Sequence, residues 1–198
     1  FRGLKQQAID TAEAGDIVSL AGMSKATVAD TIADQSVQDP IPAQPIDPPT
    51  ITVTFGINDS PLAGRDGKKV QSRVIRDRLL KECESNVAIK MVDTPGGEAF
   101  DVSGRGELQM GVLIENMRRE GFELSISRPR VIYKDVEGVK NEPVEEVTID
   151  VDEEFSGAVI EKLSARKGEM VDLKSSGSGK TRIISLVPSR GLIGYHSE

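Results

Sequence analysis

The sequence predicts an α+β protein assembled from small sheet-and-helix units, and three observations carry that expectation. Ile51, Val53, Phe55 and Ile57 alternate with Thr52, Thr54, Gly56 and Asn58, a period of two that marks a strand with one apolar face. Two helical apolar stripes follow, each bounded by strand-like runs. After residue 143 the same order begins again, which gives the chain a weak internal repeat.

Taken in order, residues 1–38 carry short apolar patches, Ile17-Val18-Ser19-Leu20-Ala21, Val28 and Thr31-Ile32, and predict strands of a small, incomplete β unit. Residues 39–50 hold a proline-rich run that cannot donate ladder hydrogen bonds, so they read as a linker and domain boundary. The strand at 51–57 opens the unit 51–130. A turn-rich loop runs from Asn58 to Gly67, and Asp66 is expected to cap a helix whose Ser72, Ile75, Leu79 and Cys83 fall within about an 80° arc. Val87, Ile89 and Met91 resume alternation, Thr94-Pro95-Gly96-Gly97 turns the chain, and Phe100 and Val102 begin a third strand. Ser103-Gly104-Arg105-Gly106-Glu107 then opens a second helix with Met110, Leu113, Ile114 and Met117 on one stripe, and Gly121 ends it. Phe122, Leu124 and Ile126 form a fourth strand that Pro129 closes. The order βαββαβ is that of a ferredoxin-like sheet with both helices on one face.

Residues 131–143 read as a second linker. In 144–198, Val147, Ile149 and Val151 predict a strand, 156–167 a helix, 169–173 a strand and 181–187 its partner. Ser189-Arg190-Gly191-Leu192 echoes Ser103-Gly104-Arg105-Gly106-Glu107-Leu108 at the corresponding turn, so this unit is expected to be a truncated βαββ copy of the first.

Composition limits the function. Only 4% of the 198 residues are aromatic and none is Trp, which argues against a surface that reads bases by stacking. The single Cys83 cannot form an internal disulfide, and no apolar run is long enough to span a bilayer, so a reducing cytoplasm is expected, with neither secretion nor membrane. The chain starts without Met and is expected to be a piece of a longer protein. Net charge is −7, yet residues 51–130 hold 13 basic and 12 acidic side chains, the one long segment with a basic balance. Any nucleic-acid contact must therefore be local.

Two strings invite a nucleotide reading: Gly177-Ser178-Gly179-Lys180-Thr181 looks like the end of a phosphate-binding loop, and Asp93-Thr94-Pro95-Gly96 like a GTPase turn. The first lacks the leading Gly, since Lys174 stands there, and precedes a strand rather than a helix; the pair is also in reversed order. Both are expected to be hairpin turns, and no metal-ligand spacing or Cys/His nucleophile pair occurs. Lys68 and Lys69, expected in the first turn of a helix where the macrodipole disfavours cations, are the odd feature. With Arg73 and Arg76 continuing the stripe, and Arg65, Arg105 and Arg190 nearby in the motifs, they are the candidates for contact with a polyanion.

The motifs resemble those of translational GTPases. Glu13-Ala14-Gly15-Asp16-Ile17-Val18 through Met23, with Ala29-Asp30-Thr31-Ile32, looks like the end of their β-barrel domain, and Ser103-Gly104-Arg105-Gly106-Glu107-Leu108 like the signature of their third domain. Asn58-Asp59-Ser60-Pro61-Leu62-Ala63-Gly64, the run from Val112 to Leu124, Ser127-Arg128-Pro129 and Pro188-Ser189-Arg190-Gly191-Leu192-Ile193-Gly194 are together similar to the BipA/TypA family, with Gln109 where relatives often carry His.

The resemblance implies a ribosome-associated GTPase related to elongation factor G, acting in ribosome assembly, translation, and stress, cold and virulence regulation. It implies that 1–38 is the tail of a β-barrel, 51–130 a third-domain and 144–198 a fifth-domain unit. GTP and Mg²⁺ would belong to a G domain outside these residues, so no catalytic, cofactor or metal residue is expected here. The partner would be the ribosome, its RNA and proteins, met by a cytoplasmic monomer with no role for DNA or membrane. Two alternatives stand beside it: a small-molecule regulatory module of ferredoxin-like form, and a phosphate-loop NTPase.

Overall fold

A computed structural model describes residues 8–23, 26, 28, 30–43, 46–177 and 179–197; Ala29, Ser178 and the Gln44-Pro45 pair of the first linker lie outside the described residues. The chain divides into two compact units, Phe1–Pro45 and Ile46–Glu198. It is an α+β protein.

In the first unit no strand forms among the described residues, against the expectation for 1–38, and no barrel is present there. The apolar patches find no cover: Ile17 is 92% exposed and Val28 80%. Local turns take the place of strands, with Asp16 N–H donating to Glu13 O at 3.1 Å and Ser36 N–H to Asp34 Oδ1 at 3.0 Å. A strand needs a neighbour to satisfy its backbone, and the described residues supply none.

The second unit begins with β1, Ile51–Ile57. After it come α1 (Ser72–Ser85), β2 (Lys90–Asp93), β3 (Ala99–Gly104), α2 (Glu107–Arg119) and β4 (Leu124–Ile126). The sheet order is β2-β3-β1-β4 with every pair antiparallel, the ferredoxin-like arrangement that the βαββαβ order implies. Register places Val53 opposite Val102 and Phe55 opposite Phe100. Those side chains, with Ile75 and Leu79 of α1 and Met110, Leu113 and Met117 of α2, form one buried core, so both helices cover the same face. The apolar period of each segment is what puts these residues there.

Three details depart from the sequence reading. Helix α1 begins at Ser72, not near Asp66, and its N-cap Gln71 makes no side-chain cap. The backbone of Lys69 is already committed: its N–H donates to Gly121 O at 3.0 Å and its carbonyl accepts from Glu123 N–H at 3.3 Å. A residue bridged in this way cannot join a helix. Second, Pro129 does not end the sheet, because β5 (Arg130–Val131) pairs with the start of β1. Third, the segment 131–143 contains a hairpin of β6 (Lys134–Val136) and β7 (Val139–Asn141), whose two-residue turn has Glu137 at φ 53° and Gly138 at φ 79°. Positive φ at both turn positions is the twist a tight hairpin requires.

The repeat is visible in the second sheet. After β8 (Val144–Asp152) come α3 (Ser156–Ala165), β9 (Glu169–Gly177) and β10 (Lys180–Pro188), a unit whose three strands form a sheet of order β8-β10-β9, the first-third-second order of β1-β3-β2. Its buried side chains include Leu163, Ile183 and Val187. The short α4 (Ser189–Leu192) stands where α2 stands in the first copy.

Candidate nucleic-acid interface

The candidate surface is built on the end of α2. That helix closes on a reciprocal pair of bonds, Phe122 N–H to Met117 O and Gly121 N–H to Arg118 O, both 3.0 Å, with Gly121 at φ 86°. Only a residue free of a Cβ penalty takes that left-handed position readily, which is why Gly121 sits there. The turn buries Phe122 in the core and sends the chain out at Glu123. The Glu123 carboxylate reaches back to the β1–α1 loop, accepting from Asn58 Nδ2 at 2.9 Å and from Gly64 N–H at 2.6 Å.

The loop itself is internally bonded. Asn58 Oδ1 accepts from Ser60 N–H at 3.0 Å, Ser60 Oγ from Leu62 N–H at 3.3 Å, and Ser60 O from Ala63 N–H at 3.0 Å. Gly67 then lies against the backbone of 121–123: a Cβ there would stand 2.7 Å from Gly121 O. Arg65 and Lys68 are exposed on this loop, and Lys68 Nζ donates to Gly64 O at 3.3 Å. Lys69 Nζ sits 4.6 Å from the centre of the Phe122 ring, a cation–π contact. Arg73 is exposed in the first turn of α1.

The remaining candidates stand in other settings. Arg76 makes a bidentate pair with Asp93 at 2.9 and 3.0 Å, which holds the Asp93 carboxyl below its ordinary range. Because Lys69 is bridged to the end of α2, the stripe Lys69–Arg73–Arg76 expected from helical spacing does not form. Arg105, at the β3–α2 junction, donates from Nε to Asp47 O at 3.2 Å. Arg190, far along the sequence on α4, is held by Glu142 at 2.6 Å. Elsewhere in the first sheet unit Arg78 bridges Glu82 and Glu120, Arg118 and Arg119 share Glu115, and Arg130 meets Asp101. Among the described residues, Arg65, Lys68, Lys69 and Arg73 have no carboxylate within ion-pair distance. They are four cations in nine consecutive positions.

A nucleotide does not fit the two look-alike strings. Lys180 and Thr181 open β10, where Thr181 is 7% exposed and paired in the sheet, and no helix follows to face a phosphate. Asp93 ends β2 in its pair with Arg76, and 94–97 is the turn into β3, closed by Gly97 N–H to Thr94 O at 2.9 Å. The described residues hold no cluster of His, Cys, Asp or Glu able to bind a metal ion, and no described helix is long and apolar enough to cross a membrane. Within the acidic run 142–154, Asp150 pairs with Arg182, Glu142 with Arg190, and Glu145 accepts from Ser189 Oγ.

Residues 139–198 match the family described as elongation factor G C-terminus. Over 100% of its length the chain is 50% identical to the large ribosomal subunit assembly factor BipA of Bacillus subtilis (strain 168), covering 32% of that protein. Over 99% of its length it is 50% identical to the BipA of Haemophilus influenzae and 48% to that of Escherichia coli (strain K12), again covering 32% of each. The chain thus spans about a third of the length of these relatives. Across that third, with about half of its residues shared from end to end, the chain is a BipA-family sequence.

Proposed function

We propose that this chain is the ribosome-contacting part of a BipA-type factor acting in assembly of the large ribosomal subunit. The observation that carries the reading is the end-to-end match to proteins that bear that name. On this reading the first sheet unit meets ribosomal RNA through Arg65, Lys68, Lys69 and Arg73, none of which has a carboxylate within ion-pair distance among the described residues, Lys69 acting on Glu120 only at longer range. Paired arginines such as Arg76 and Arg190 contribute less, because an ion pair must be broken or shared before phosphate can be bound. A chain with net charge −7 is repelled by RNA at long range, so the contact is short and local.

The finer parts of the reading belong to the same proposal. Residues 1–38 correspond to the end of the factor's β-barrel domain, although no strand forms among their described residues; 39–50 and the hairpin-bearing 131–143 link the units, 51–130 is a third-domain unit and 144–198 a fifth-domain unit. GTP hydrolysis with Mg²⁺, and roles in translation and in stress, cold and virulence responses, belong to the whole factor through a G domain outside these residues. The factor works as a cytoplasmic monomer without DNA or membrane.

Co-sedimentation of the chain with ribosomal particles at two or more salt concentrations tests this. Lys68→Ala, Lys69→Ala and Arg73→Ala together should weaken binding and lower the salt slope by about one for each side chain that touches phosphate. Binding that stays the same in the triple variant contradicts the proposal.

A further inference from the structure

We propose that Glu123 is the positioning residue of this surface: a carboxylate clamp that holds the 58–67 loop in the shape that presents Arg65 and Lys68 to an RNA phosphate backbone. The inference rests on the reading given under Proposed function and deepens it. Glu123 touches the loop at two places and the residues after it at a third: its carboxylate binds Asn58 Nδ2 at 2.9 Å and Gly64 N–H at 2.6 Å, and its own N–H binds Lys69 O at 3.3 Å. Each contact is consequential for the cations. Gly64, held by the carboxylate, offers its carbonyl to Lys68 Nζ at 3.3 Å and precedes Arg65 directly. Asn58 cannot turn its amide to suit another partner, since its Oδ1 already accepts from Ser60 N–H at 3.0 Å. Exposed loops lose conformational freedom on binding, and a loop fixed in advance loses less.

The proposal has a distinctive sign. A carboxylate beside a phosphate-binding loop should, by charge alone, weaken binding, so removing it should tighten the complex. A clamp predicts the reverse. The carboxylate's two oxygens are both occupied by donors, one from a side chain and one from the backbone. Glutamine can keep at most one of those acceptances at full strength, and it sets an N–H₂ group against the donor that remains.

The test compares Glu123→Gln, Asn58→Ala, Lys68→Ala, Arg65→Ala and a charge-matched control, Glu98→Gln, in the full chain. Glu98 is exposed in the β2–β3 turn, and the bonds of Asn58 and Gly64 go to Glu123 and Ser60 rather than to it. Two quantities are read: affinity for large-subunit ribosomal RNA at fixed low salt, and the hydrogen-exchange rate of the Gly64 amide, with thermal melting to verify that each variant is folded. The clamp predicts that Glu123→Gln and Asn58→Ala each weaken binding about fivefold and speed Gly64 exchange, while Glu98→Gln does not weaken binding. A Glu123→Gln chain that binds as tightly as Glu98→Gln, or more tightly than the parent, overturns the clamp and leaves the RNA-contact reading standing. If Lys68→Ala and Arg65→Ala bind like the parent, the reading itself fails and the clamp falls with it.

Discussion

Two glycines show how sharply the fate of one residue depends on what lies beyond it. Gly67 faces the backbone of 121–123, where a Cβ would meet Gly121 O at 2.7 Å and Phe122 C at 3.0 Å, and neither neighbour is a flexible side chain. Gly67→Ala should therefore cost about 1–3 kcal/mol in a urea melt, because the loop and the end of α2 must part. Gly111 is exposed on α2 and nothing lies within 4 Å of its Cβ position, so Gly111→Ala should stabilise by about 1 kcal/mol in the same melt. Charge at single positions sets the acid response. The Arg78 guanidinium holds the Glu120 carboxyl below its ordinary 4.5 by hydrogen bonding across from α1 to the end of α2. A group with a depressed folded pKa stabilises fully above its unfolded value and loses that contribution as pH falls through the folded one. Glu120→Gln should thus lower stability at pH 7 and narrow the gap to the parent below pH 4.5, read by denaturant melts across that range.

At the scale of elements, periodicity was legible and partnership was not. The two-residue period of β1 and the stripe Met110–Leu113–Met117 of α2 appear in the core as their spacing predicts, because burial of one face is a local property of the pattern. Ile75→Ala on α1 should accordingly cost about 2–5 kcal/mol, while Leu108→Ala, at a position 78% exposed, should change stability by about 0.5 kcal/mol or less. The start of α1 departs from the spacing-based expectation because Lys69 pairs with Phe122, a partner more than fifty positions away that helical spacing cannot reveal. The hairpin 134–141 has a local sequence signal in Glu137-Gly138 between short β-prone runs. The candidate cations were found from charge alone. Which of them are already engaged, Arg76 by Asp93 and Arg190 by Glu142, depended on the fold, as did the reach of Glu123 to Asn58 and Gly64.

For the molecule as a whole, the two sheets are one design carried to different extents. The first encloses a contiguous buried cluster from Ile51 to Phe122, contributed by β1, β3, both helices and the segments beside them. In the second, Leu163, Ile183 and Val187 are buried, but Met170, Val171 and Leu173 on β9 are about half exposed or more. Hydrogen exchange should therefore show β8–β10 opening at lower free energy than β1 and β3. That difference suits the proposed division of labour, in which the better-packed unit carries the cation loop and its clamp.

The most direct test asks which face meets RNA. A hydroxyl-radical source tethered at Leu62→Cys, exposed at the tip of the 58–67 loop, in a chain where Cys83→Ser removes the native thiol, should cut large-subunit ribosomal RNA at discrete sites. The same source on exposed Glu161→Cys of α3 should give a different and weaker pattern. Particles that bind the chain yet show no cutting from position 62 above the level seen from position 161 would contradict the account.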